Sequence, residues 1–448
     1  MQNLNIEANT YLNQSQKEAV GLLSIGTFLE YFDLMLYVHM AVLLNELFFP
    51  KADPHTAALF SAAAFCSTYL LRPFGALIFG WIGDSIGRKA TVVITTFMMA
   101  ISCIVMANLP TYAQIGSTAT WVLTICRMIQ GMTSMGEVVG AELYLTEITK
   151  PPIQYPTVTL VAVCCILGGT VALGIASLVT SYGLSWRIAF WIGTGVAMIG
   201  AIARTALRET PEFVNAKRQI HKVFQDANID KSSLQSNTIY NMRTSKKTFL
   251  AVFLIHCAYP VCFYFTYIHC GNILKNSFGY TTQQIIHQNF IVSIIALVGC
   301  IIIAYISYYI HPIKILKAKL LVFLSVILIT PYLFNNITDP LYFTLLQSLF
   351  GLLLLYAAPA TSLLYKYIPI FKRFTYGGLT YALSRTLMHV ITSFGLVYLT
   401  EQLGHYGLLV IIVPVTLGFA FGVYHIGELE QADDDLQKDL EYKVSITH

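Results

Sequence analysis

Charge is what this sequence has least of. Asp, Glu, Lys and Arg together make up 11% of its 448 residues, while 56% are hydrophobic. A soluble domain carries about 25% charged residues, so a water-soluble globular chain is excluded, as the mean hydropathy of +0.64 also requires. There is no CxxC pair and no His/Cys spacing of a metal site. The nine cysteines fall mostly inside apolar runs, as at Cys164 and Cys165, and read as small core residues. Neither a nucleotide loop nor a nucleophile motif is present. The sequence therefore gives no reason to expect an enzyme, a metal or any other cofactor. The net charge of +4 does not indicate nucleic acid, because the cations gather in loops of one sidedness. No cleavable signal sequence is expected either: the first 19 residues are polar, and the first apolar segment is too long and too acidic.

Long apolar runs are what the sequence does have. About twelve segments are long enough to cross a bilayer, which takes about 20 apolar residues. Their approximate limits are 20–46, 57–81, 90–109, 118–146, 156–181, 187–207, 247–271, 284–310, 319–334, 340–366, 376–401 and 407–426. The expected fold class is an all-α membrane protein of twelve transmembrane helices in two six-helix bundles. Residues 1–207 form the first bundle, 208–246 a basic cytoplasmic linker, 247–426 the second bundle and 427–448 an acidic cytoplasmic tail. Arg208, Lys217, Arg218 and Lys222 crowd the linker, and Arg88, Lys89, Lys314, Lys317, Lys319, Lys372 and Arg373 fall in other loops of the same side. By the positive-inside rule both termini are cytoplasmic. The tail, with Asp433, Asp434, Asp435, Asp439 and Glu441, reads as a solvated flexible segment.

Gly80 to Lys89 is a short polar turn between two spans. Gly80 and Gly87 suit close helix approach and a sharp turn. Asp84 is placed to cap a helix start or pair with a cation, and Arg88 and Lys89 mark the inner side. Ionisable groups inside spans are functional candidates, because each costs several kcal/mol unless paired or facing water. Glu30 and Asp33 share one face of the first helix near the midplane, which suits proton uptake and release or pairing with an internal arginine. Arg127, Gln130, Ser134 and Glu137 form one polar stripe on the fourth. There Arg127 either pairs with Glu30 or Asp33 or binds an anion, and Glu137 and Glu142 read as gate or packing carboxylates. Arg72 and Arg187 read as structural. In the seventh segment His256, Tyr259, Phe263 and Tyr267 recur at helical spacing beside Pro260, as a wet aromatic face or a packed one. Arg385 has no acid within the spans of its own half, so it needs a carboxylate from the first half or an anionic ligand.

Four stretches carry a family resemblance: Gly26–Tyr37, the Arg72–Lys89 run with Arg-Pro-Phe-Gly and the Gly-x3-Asp-x2-Gly-Arg-Lys turn, Arg127–Glu142, and Ser185–Phe213. Together they resemble the metabolite:proton symporter family of the major facilitator superfamily, which includes proline/betaine, citrate, 2-oxoglutarate and shikimate transporters. The resemblance covers the first half and fades in the second, where the turn at His311 lacks the family's acid. It implies solute–proton symport in the bacterial inner membrane. It implies a role in coupling or binding for the charges of the first and fourth segments: Glu30, Asp33 and Glu137 as proton-coupling candidates and Arg127 in substrate contact. Arg385 has no counterpart in the family pattern, and the reading of the residues themselves adds Tyr37, Gln130, His256, Tyr259, Tyr267 and Arg385 as substrate-contact candidates. Gly80, Asp84, Gly87, Arg88 and Lys89 would serve conformational change. The expected partners are a small-molecule substrate, protons and the lipid bilayer, with the chain a monomer. A small organic anion is the expected cargo. The alternatives are a zwitterionic osmolyte or amino acid, or export of a metabolite, siderophore or drug.

Overall fold

The structure is a computed structural model that describes residues 11–50, 67–182, 185–205 and 245–446. Twelve long helices order the described chain. The first six are α1 (Gln14–Phe48), α2 (Arg72–Ser85), α3 (Arg88–Asn108), α4 (Ser117–Ile148), α5 (Gln154–Tyr182) and α6 (Trp186–Arg204). The second six are α7 (Lys246–Phe263, continued to Phe278), α8 (Thr282–Ile306), α9 (Pro312–Asn336), α10 (Pro340–Leu353), α11 (Arg373–Leu403) and α12 (Gly407–Ile446). The linker expected at 208–246 lies outside the described residues but for its last two. Among the described residues, six stretches are long and apolar enough to cross a membrane by themselves. The other helices carry internal charges, as α4 does at Arg127 and Glu142, or are short, as α10 is.

Local chemistry sets the helix ends. Thr281 accepts from Gln284 N to cap α8, Asp339 accepts from Leu341 N at 2.8 Å to cap α10, and prolines open α9 and α10. Two expectations about these elements change. Segment 10 does not stay helical to 366: α10 stops at Leu353, and the chain turns before a short helix, Thr361–Lys366. Pro359 falls in that break; it lacks an N–H and cannot continue the ladder. The acidic tail is not a flexible segment, because α12 continues through it to Ile446. Glu430 and Asp433 there find donors on the loop after α10, so acids that read as solvent-facing become helix-docking groups.

Two hydrophobic cores form, one centred on α1 to α6 and one on α7 to α12. Helices α2 and α11, and α5 and α8, pack against each other between them. We name the end of the bundle carrying the α2–α3 turn the basal end and the opposite one the distal end.

Candidate functional site

Closure at the basal end starts from the α2–α3 turn. Gly87 has φ 148°, which side chains rarely adopt, and it lets the chain reverse before Arg88. Gly80 faces Thr375, whose Cα would lie 2.8 Å from an added Cβ, and Gly83 faces the Phe374 ring. Absence of side chains there lets α2 touch the start of α11. Asp84 caps α11: its carboxylate accepts from Phe374 N at 3.1 Å, Thr375 N at 2.8 Å and Thr375 Oγ1 at 2.7 Å. Burial pushes its carboxyl up to about 6, against the pull of Arg88 and of the Thr375 and Phe374 donors. Arg88 bridges Asp84 and Glu147, both at 3.1 Å, and donates to Ile370 O at 2.8 Å. One residue, Arg88, thus ties α2, α4 and the segment before α11. Tyr365 adds a hydrogen bond to Glu142 at 2.8 Å. Lys89, next to Arg88, is half-buried. The Glu137 side chain lies outside the described residues.

A small cavity lies between the halves, lined by Tyr31, Cys165, Tyr259, Phe263, Tyr267 and Ser293 among others. Its ≈ 30 Å³ holds the centres of about two waters. Arg385 is buried beside it, between two rings, 4.4 Å from the Tyr259 centroid and 4.3 Å from that of Tyr381. Tyr381 is positioned in turn by Tyr31, hydroxyl to hydroxyl at 3.0 Å, and by the His256 ring. Among the described residues no carboxylate lies within ion-pair distance of Arg385. Of the residues picked on α7 from sequence, Tyr259 and Tyr267 line the cavity, while His256 backs Tyr381 instead.

The α1 and α4 residues gather elsewhere, inside the first six helices. Asp33 Oδ2 accepts from the Cys103 thiol at 3.0 Å, and Gln130 Nε2 donates to that sulfur at 3.4 Å. Gln130 Oε1 accepts from Arg127 at 2.8 Å, and Arg127 lies 4.1 Å over the Tyr37 ring. The ion pair expected as one option between Arg127 and Glu30 or Asp33 is replaced by this relay of neutral groups. Gly193 of α6 abuts the Asp33 carboxylate, so a side chain there has no room. Glu30 and Asp33 are both 1% exposed. Neither they nor Tyr37, Arg127 and Gln130 line the central cavity. The two arginines read as structural do differ: Arg187 caps α3 through Leu109 O at 2.9 Å, whereas Arg72 stacks 4.4 Å over Tyr69.

Several residues of this region were not legible in sequence. Cys103 looked like one more apolar filler, and Glu147 did not stand out at all. In α7 the residues Tyr264–His269 form a π-helical turn, which leaves carbonyls without their usual partners. Gln347 donates to Thr266 O at 2.8 Å and Asn289 to Tyr267 O at 3.3 Å, with Gln288 behind them at 2.7 Å. Three amides on α8 and α10 are thereby committed to holding the π turn open. A vestibule of ≈ 620 Å³ opens at the distal end, lined by Ser177, Ser181, Tyr280, Gln283, His287 and Thr344. Among the described residues, the vestibule lies at the distal end and the Arg88 cluster joins the two halves at the basal one.

This architecture has close counterparts. Residues 20–310 match the family model described as sugar (and other) transporter. A proline/betaine transporter of Salmonella typhimurium is 33% identical over 204 residues, covering 44% of this chain and 41% of the relative. An inner membrane metabolite transport protein of Escherichia coli K12 is 36% identical over 222 residues, 47% of this chain and 50% of the relative. The chain thus spans about half the length of the curated relatives it matches. In three dimensions it superimposes on a proton:xylose symporter of the major facilitator superfamily with TM-score 0.73, covering 93% of this chain and 96% of that one, at 12% identity. That likeness establishes the twelve-helix fold and leaves the cargo open. The chain belongs to the sugar (and other) transporter family of the major facilitator superfamily.

Proposed function

We propose that this protein is a proton-coupled importer of a small zwitterionic carboxylate, an amino acid or a betaine, working by alternating access in a bacterial inner membrane. The observation that carries this is Arg385. A buried guanidinium held between two tyrosines, with no carboxylate within ion-pair distance among the described residues and Glu142 acting on it only from further off, is a ready partner for the carboxylate of a ligand. The cavity rings of Tyr31, Tyr259, Phe263 and Tyr267 offer π faces to a cationic ammonium at the other end of the same molecule. That combination favours a zwitterion over the simple organic anion expected from sequence, and the name of the Salmonella relative, a proline/betaine transporter, points the same way. Protons enter the cycle through Glu30 and Asp33, the latter joined to Arg127 through Cys103 and Gln130. Residues 1–207 and 247–426 act as two monomer-internal bundles that rock about the central cavity, with both termini cytoplasmic. Unlocking the Arg88–Asp84–Glu147 cluster opens the basal end.

Uptake of labelled proline and glycine betaine into proteoliposomes, with an imposed pH gradient, tests this. Uptake by wild type that collapses when the gradient is dissipated is expected. Arg385→Gln should weaken binding by roughly 10–100-fold, the worth of a charged hydrogen bond. Uptake unaffected by Arg385→Gln would remove that residue from the site. Uptake of succinate but not of either zwitterion would return the reading to an organic anion.

A further inference from the structure

A second chamber adjoins the central cavity on its basal side. It shares Ile166, Tyr259, Ala296 and Leu354 with that cavity and adds Cys300, Lys319 and Tyr356. Lys319 stands at the start of the third turn of α9 rather than in a loop, half-buried near Cys262 and Cys300. Among the described residues it has no hydrogen bond and no carboxylate within ion-pair distance. The chamber therefore repeats the chemistry of the central site with different residues. Arg385 works there with Tyr259 and Tyr381; here Lys319 stands with Tyr259 and Tyr356, whose rings lie 5.0 Å apart.

We propose that Lys319 forms a second carboxylate-binding station, occupied as the substrate leaves Arg385 for the basal end. An ammonium inside a span is costly without an anion, and this chamber adjoins the central cavity on the side of the basal end. Tyr259 lines both chambers, so one ring can face the cationic end of the solute throughout the step. This rests on the zwitterion reading given above, and it adds a route to that reading's site.

The test uses the full chain in lipid vesicles, with wild type, Arg385→Gln, Lys319→Met and Lys319→Arg, and with labelled proline and unlabelled acetate as probes. Lys319→Met should keep equilibrium proline binding but slow proline counterflow by about tenfold or more, the lower bound for losing one charged hydrogen bond. Lys319→Arg should restore the rate, and Arg385→Gln should lose binding instead. Counterflow at the wild-type rate in Lys319→Met overturns the station, as does equal loss of binding in both Lys319 variants. If wild type neither binds nor exchanges proline, the zwitterion reading fails and acetate decides the station separately. Acetate should then raise the unfolding temperature of wild type more than that of Lys319→Met. Equal shifts would mean that Lys319 holds no carboxylate.

Discussion

Asp33 shows how a residue that is plain in sequence takes its meaning from neighbours that are not. Its depth in α1 marks it as special, yet its partner is the Cys103 thiol of α3, and its other side abuts Gly193 of α6. Both were unreadable: a cysteine in an apolar run and a glycine in a span look like packing. Glu30→Gln and Asp33→Asn should each abolish accumulation driven by a pH gradient and leave counterflow, which needs no net proton movement. Intact accumulation in both would remove the pair from coupling. Gly193→Ala should behave like Asp33→Asn, because the new methyl displaces the carboxylate from the thiol. Counterflow and accumulation assays on the same vesicles separate these outcomes. Arg385 was legible as a cation without an acid in its own half. Its two stacking tyrosines were not, since Tyr381 precedes it by one helical turn and Tyr259 comes from another helix.

At the scale of elements, the α2–α3 turn and α12 behave in opposite ways. The turn was read correctly as a glycine-rich reversal with a capping acid, although the helix that Asp84 caps is α11, 290 residues away. Raising the folded carboxyl to about 6 has a definite sign. The closed basal end holds the Asp84 proton more tightly than an open, solvated one, with its ordinary value of about 3.9. Closure is therefore favoured most below about 4 and loses that contribution as pH rises through about 6. Asp84→Asn should keep closure, retaining an acceptor for the α11 N–H groups, but flatten its dependence between pH 4 and 6. Asp84→Ala should weaken closure by about 0.5–2 kcal/mol, the worth of a helix cap. Spin-label distances between the α4 and α11 basal ends would report both, and a pH dependence surviving in Asp84→Asn would place the titration elsewhere. In α12, Glu430 takes Lys366 Nζ at 2.8 Å and Tyr367 Oη at 2.6 Å, while Asp433 pairs with Lys366 at 3.0 Å. Glu430 is 8% exposed, so this is a docked contact, not a loose surface pair. Glu430→Ala should expose the helix beyond Gly427 to limited proteolysis and cost about 0.5–1.5 kcal/mol, the net worth of a hydrogen bond, since the Lys366 ammonium is half exposed and stays solvated. A digestion pattern identical to wild type would show that the helix is held by other contacts.

For the whole molecule, the apolar lengths and the asymmetry of Lys and Arg were enough to specify twelve helices, because a bilayer admits few other ways to satisfy the backbone. The sequence by itself also marked Glu30, Asp33, Arg127 and Arg385, since an ionisable group in an apolar run stands out whatever it touches. It could not say which of them share a chamber. Arg385 sits behind Tyr259 of the cavity between the halves, whereas Asp33 and Arg127 are joined inside the first six helices, a separation that depends on which helix faces turn toward one another. Lys319 was assigned to a loop because helix beginnings are set by Pro312 and the His311 cap more than by hydropathy. The second half holds few acids of its own, so only tertiary packing decided that the basal ends of the halves are joined through Arg88 and that the acid missing from the His311 turn is supplied instead from α12. His311 Nε2 lies 3.9 Å from Glu430, a contact across more than a hundred residues that no local pattern encodes.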